Sequence, residues 1–182
     1  MLILDGTEIE TERHWHTDLT HVLCSNYKQR FPAKLMVGIT PFGVICFASK
    51  TFGGRLSGAE IVRRSGLLEA LNEGGFCDAG FWIMVDRGLS PIGADLARMG
   101  IRLIGPPRLR TGEPQFAAEV NYATYCVASL RVHVERAIGA IKCWRFLGSK
   151  ILRCQLDLVT MAVQVIAALV NLTSTGFLSG AS

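Results

Sequence analysis

The sequence predicts an α/β fold: a mixed sheet of five strands flanked by helices. Three observations predict it. Short apolar runs bounded by glycine, proline and polar clusters recur through the first two thirds of the chain, as strands do. Longer stretches with apolar residues three and four apart fill the last third, as helices do. Strands come first as a consecutive three and then alternate with helices, which calls for a sheet with both antiparallel and parallel pairs. With 182 residues, 49% of them hydrophobic and 19% charged, the chain has enough apolar surface for one sizeable core.

Residues 1–10, MLILDGTEIE, are apolar on both faces until Asp5, the pattern of a central strand. Residues 11–33 are polar, aromatic and irregular, and a connection that long is more often functional than idle. AKLMVGIT, PFG and VICFASK read as two strands joined by a tight turn. GGRLSG is a glycine-rich loop. In AEIVRRSGLLEALNE, Ile61, Val62, Leu67, Leu68 and Leu71 fit a helix interrupted at Gly66. FWIMV is a fully apolar strand ending at Asp86-Arg87-Gly88, and PIGADLARMG is a short helix closed by glycine. IRLIGPP is a strand stopped by its prolines, and residues 108–116 are a loop. A long helix runs from Ala117 to about Leu147, breaks at Gly148, and is followed by another to about residue 173. The order is β-β-β-α-β-α-β-α-α. The first three strands pair antiparallel and the later ones in parallel through crossovers, so the first and fourth strands can lie side by side in mid-sheet.

Bulk properties exclude several classes. The net charge is +4 and the pI near 8.8, a mild lean toward an anionic partner. The six cysteines, Cys24, Cys46, Cys77, Cys126, Cys143 and Cys154, are unclustered and sit mostly in apolar runs, which predicts reduced, buried thiols. The N-terminus lacks a signal-peptide pattern. LDLVTMAVQVIAALVNL, interrupted by Asp157, Gln164 and Asn171, reads as a packed helix and not a membrane span. His14, His16 and His21 lie close together but lack a cysteine at ligand spacing beyond Cys24, so a surface loop is the plainer reading. Walker, G-x-S-x-G and G-x-G-x-x-G motifs are absent from the sequence.

Carboxylates at the ends of apolar strands need compensation, because burying an unpaired charge is costly. Asp5 and Asp86 are such residues, and the predicted strand order sets them in one crevice. Glu135 joins them as a candidate. On its helix Val127, Leu130, Val134, Ile138 and Ile141 form an apolar stripe, and Glu135 lies at the stripe's edge between Arg131 and Gly139. Two aspartates and a glutamate make a hard, all-oxygen set suited to Mg²⁺ or Mn²⁺ and not to zinc. Two such ions about 4 Å apart can hold a phosphodiester, one activating water or a 3′-hydroxyl and the other stabilising the leaving oxygen. Taken singly, Asp5 is also a turn residue, Asp86 an Asx-turn before glycine, and Glu135 an i−4 partner of Arg131.

The stretches LILDGTEIE, SNYKQRFPAKLMVGITPFGVICFASKTFGGRLS, SGLLEAL, VDRG, GIRLIGPP and LRVHVERAIGAIKCWRFL occur in the order found in one family. On them the chain resembles the DDE endonuclease domain of PIF/Harbinger-type transposases and the host proteins derived from them, over roughly residues 1–150. The resemblance implies a ribonuclease H-like fold and carries the catalytic, metal-binding triad onto Asp5, Asp86 and Glu135. It also implies divalent metal, cutting of DNA and joining of 3′ ends to target DNA. Residues 151–182 are then a C-terminal helix packed on the same domain and a short tail. The chain departs from the family pattern at Gly58, where an aspartate is usual, at Gly74-Gly75-Phe76, where Gly-Asp is usual, and at Leu89, where an aromatic is usual.

A DNA-cutting domain must also hold phosphates. Between Arg108 and Arg153 eight basic residues face three acidic ones, an excess of +5 that exceeds the whole chain's charge. Lys28, Arg131, Arg136 and Lys142 are the candidate DNA contacts, and Tyr27-Lys28 matches a family motif in the long loop. The alternative is a domesticated or decayed derivative that binds DNA or a partner without cutting. A third reading is a protein-interaction domain using the apolar C-terminal helix. In the family, site recognition comes from upstream residues or a Myb-like partner protein, and the work is done in the nucleus. A start directly on a central strand suggests a chain that is part of a longer protein.

Overall fold

The computed structural model describes residues 1–12, 32–75, 80–106 and 118–174. Its sheet is built outward from β1 (Leu2–Glu10). β1 pairs antiparallel with β2 (Pro32–Ile39), Ile3 opposite Ile39 and Glu10 opposite Pro32. A turn closed by Gly43 N–H to Thr40 C=O (3.0 Å) leads to β3 (Ile45–Ala48), antiparallel to β2. Gly43 has φ +86°, a conformation glycine adopts without steric cost. On the other side β1 pairs in parallel with β5 (Trp82–Val85), which pairs in parallel with β6 (Arg102–Ile104). The order is β3-β2-β1-β5-β6, so β1 is central and the first strand neighbours FWIMV as expected.

The sheet has six strands, not five. The sixth, β4 (Phe52–Gly53), pairs with Ala33 and Lys34 of β2. It exists because β2 is twice as long as β3, which covers only Val37–Ile39 and leaves the first half of β2 without a partner on that edge. Ser49 makes the transition. Its N–H donates to Met36 C=O while its hydroxyl accepts from Met36 N–H, both at 2.9 Å.

Six α-helices and two short 3₁₀ turns (Arg87–Ile92 and Arg153–Gln155) complete the described residues. The helices are α1 (Gly58–Arg64), α2 (Leu67–Glu73), α3 (Gly93–Arg98), α4 (Ala118–Lys142), α5 (Arg145–Gly148) and α6 (Leu156–Ser174). Gly66 separates α1 from α2 at φ +81°, the break read from the sequence. Gly100, at φ +73°, closes α3, with Ile101 N–H returning to Leu96 C=O at 3.0 Å. The long helix stops earlier than expected, at Lys142. Trp144 is extended and α5 starts beyond it. Gly148 is not the break but what permits it, because a Cβ there would collide with the Lys142 carbonyl oxygen.

Strand alternation divides the core between the two faces. Ile3, Ile9, Leu35, Val37, Ile39 and Met84 meet α4 and α6 through Val134, Ala137, Ile141, Val159, Val163 and Val170. Leu2, Leu4, Met36, Ile83 and Val85 meet α1–α3 and the first 3₁₀ turn through Ile61, Val62, Leu71, Leu89, Ile92 and Leu96. Residues two beyond Ile3 and two beyond Met84 therefore inherit the α4 face. They are Asp5 and Asp86.

α6 is long and apolar enough to cross a membrane by length and composition. One side of it joins the core. Asn171 accepts from Ile45 N–H and donates to Ile45 C=O, both at 2.8 Å, and Thr160 meets Thr51 at 3.0 Å. The other side leaves Leu158, Met161, Val165 and Leu172 exposed.

The cysteines differ from expectation. Cys46, Cys143 and Cys154 are free, as expected, but exposed. Cys46 follows inward-facing Ile45 on a strand and so points outward, while Cys143 and Cys154 fall at the α4–α5 break and in a 3₁₀ turn. Cys24, Cys77 and the side chain of Cys126 lie outside the described residues.

Candidate carboxylate site

The site begins with strand register. The last matched pair of β1 and β5 is Leu4 with Val85. One step further the chains present Asp5, inside β1, and Asp86, just past the carboxyl end of β5, on adjacent parallel strands about 4.8 Å apart. β1 does not end at Asp5, as the apolar run suggested, but continues to Glu10. Both lie on the face crossed by α4. The helix is held there by buried Val134, Ala137 and Ile141. Arg131 and Glu135, four residues apart, share one side of it.

Arg131 is the centre of the group. One guanidinium nitrogen lies 3.4 Å from Asp86 Oδ1 and the other 3.7 Å from Glu135 Oε1. Asp5 is half-buried, and its Oδ1 accepts the Gly6 N–H at 2.8 Å. Burial pushes the Asp5 carboxyl above its ordinary range. The Gly6 hydrogen bond and the Arg131 charge oppose that push, while Asp86 and Glu135 add to it. The three carboxylates read from the sequence therefore share one electrostatic neighbourhood, with a fourth member that sequence reasoning assigned only to DNA or to Glu135.

The donor chemistry fits a hard divalent cation, because Asp5, Asp86 and Glu135 offer only carboxylate oxygens. Their spacing is another matter. Among the described residues no three Asp, Glu, His or Cys side chains are drawn close enough to hold one ion. The Arg131 guanidinium lies between Asp86 and Glu135, facing both.

Beside Asp5 the second half of β1 runs past the end of β5 and borders an open cavity of about 520 Å³. Gly6, Glu8, Lys34, Gly58 and Lys142 are among its lining residues. Lys34 sits 3.9 Å from Glu8 and donates to Leu56 C=O at 3.1 Å. Of the candidate DNA contacts, Lys142 lines this cavity, Arg136 is exposed on α4, and Arg131 lies among the carboxylates. Lys28, Tyr27 and the three N-terminal histidines lie outside the described residues.

Two positions that the resemblance marks as departures lie against each other. Gly58 opens α1 directly against Leu89, and a Cβ added there would stand 2.7 Å from Leu89 Cδ2. Neither position signalled the other in the sequence, since 31 residues separate them.

Among curated proteins and solved structures, none matches the chain significantly. A family model described as DDE superfamily endonuclease matches residues 4–171, a span that contains all three carboxylates and runs through most of α6. The chain belongs to the DDE superfamily endonucleases.

Proposed function

We propose that this chain is the catalytic domain of a Harbinger-type transposase or a nuclease derived from one, built on a ribonuclease H-like fold. It hydrolyses phosphodiester bonds in DNA and transfers strands, with Asp5, Asp86 and Glu135 as ligands for Mg²⁺ or Mn²⁺. The observation that carries this reading is the register that sets Asp5 beside Asp86 on the face crossed by Glu135's helix.

Bound divalent cations supply Lewis acidity and an activated water or 3′-hydroxyl. The chain's own residues supply position. Asp5 stands on the central strand β1 and Asp86 directly follows β5, and the Gly6 N–H fixes the Asp5 rotamer. Glu135 approaches from a helix whose buried face is locked to the sheet. Arg136, Lys142 and Lys28, with the excess of basic residues around α4, hold backbone phosphates without reading sequence. A Myb-like partner and a nuclear location complete the proposal.

Incubation with supercoiled plasmid and Mn²⁺ tests it. Asp86→Asn is expected to lower the cutting rate by about 100-fold or more, since it removes a primary ligand. A variant that cuts as fast as the parent would refute the assigned mechanism.

A second reading, a derivative that binds DNA or a partner without cutting, is favoured by one observation: the carboxylates already have an internal cation. Calorimetry with millimolar Mg²⁺ separates the two, because the second reading requires no binding.

A further inference from the structure

We infer that Arg131 is an internal counter-cation of the carboxylate site, one that holds Asp86 and Glu135 in the metal-free protein and must leave before a divalent ion binds between them. This rests on the proposed metal-binding reading.

The distances carry it. Arg131 spans two carboxylates with two different nitrogens, at 3.4 and 3.7 Å, so one guanidinium bridges them. A Mg²⁺ ion needs oxygens at about 2.0–2.1 Å, and no three carboxylates among the described residues are gathered closely enough to supply them. The two cations also exclude each other, since a full positive charge at that range repels an incoming ion. Protonation offers no escape, because arginine keeps its charge at every accessible pH. The side chain must therefore move.

It has room to. Arg131's side chain is 27% exposed, and those of Asp86 and Glu135 are 44% and 59% exposed, so the group opens to solvent. Rotation about its own stem suffices, as the backbone of α4 is fixed by Val134 and Ala137. Glu135, one turn along the same helix, keeps its backbone position when Arg131 swings, and its side chain is free to turn toward the ion. The displaced guanidinium then lies at the mouth of the site, where a backbone phosphate can accept it.

The probe is Mn²⁺, titrated calorimetrically into the full chain. Arg131→Gln removes the charge and keeps much of the length. It is expected to bind Mn²⁺ about two- to fivefold tighter, the range for losing a partly exposed ion pair. Arg131→Lys keeps the charge but forms no two-pronged bridge, and is expected to gain affinity by a smaller factor. Each variant's fold is checked by circular dichroism. If neither folded variant binds Mn²⁺ more tightly than the parent, the inference is overturned. Asp86→Asn, alone and combined with Arg131→Gln, is expected to abolish binding. Loss in both backgrounds upholds the metal-site reading whatever Arg131 does. Undiminished binding in both would overturn that reading, and this inference with it.

Discussion

At the scale of single residues, Asp5 sits where folding opposes its ionisation. Burial raises its pKa, and Asp86 and Glu135 reinforce the effect. A group with a raised folded pKa binds its proton more tightly when folded. Its contribution to stability is fully present below the unfolded value of 3.8 and is lost as pH rises through the folded value. Asp5→Asn keeps an oxygen for the Gly6 N–H and removes the charge. In metal-free buffer at pH 7 it is expected to stabilise the fold by roughly 0.5–2 kcal/mol, the range seen when functional-site strain is relieved. The gain should shrink as pH falls toward 4, and denaturant titrations across that range measure it. A variant less stable than the parent at pH 7 would mean the Asp5 charge is compensated after all. The aspartates were legible in the sequence because each follows a short apolar run, which is a local fact, and the β-α order allowed their strands to be neighbours. Arg131's reach to Asp86 was not, because it depends on where α4 crosses the sheet.

At the scale of elements, the strands were read closely and the boundaries less so. β1, the β2–β3 hairpin, β5 and the break at Gly66 follow from apolar runs and glycine positions. β4 escaped notice because two residues carry no periodicity; only the unpaired half of β2 calls for them. The end of α4 was misplaced because Gly148 looked like a helix breaker, whereas its real task is to pass under the Lys142 carbonyl. The junction of α1 with the 3₁₀ turn after Asp86 is similarly non-local. Gly58→Asp drives a Cβ into the buried side chain of Leu89 and is expected to cost about 1–3 kcal/mol, as overpacking does. Leu89→Ala alone leaves a cavity. In a double-mutant cycle the pair should cost measurably less than the sum of the two singles. Strict additivity would show that the two positions do not compete for space.

At the scale of the molecule, the sheet separates two cores and leaves the site where β1 runs past the end of β5. α4 serves both ends of that arrangement. Its buried stripe closes one core while Arg131 and Glu135 reach the carboxylates. Its basic continuation through Arg136 and Lys142 lines the approach, and phosphate tracking there would weaken steeply with added salt. The family match spans residues 4–171, and the register of β1 with β5 brings Asp5 and Asp86 side by side. The central claim is that Asp5, Asp86 and Glu135 form one metal site. Anomalous diffraction from crystals soaked in Mn²⁺ tests it most directly. The account predicts a strong Mn²⁺ peak bordered by Asp5 and Asp86, with Glu135 turned toward it and Arg131 swung away. A peak elsewhere, or the Arg131 bridge intact at saturating Mn²⁺, would contradict it.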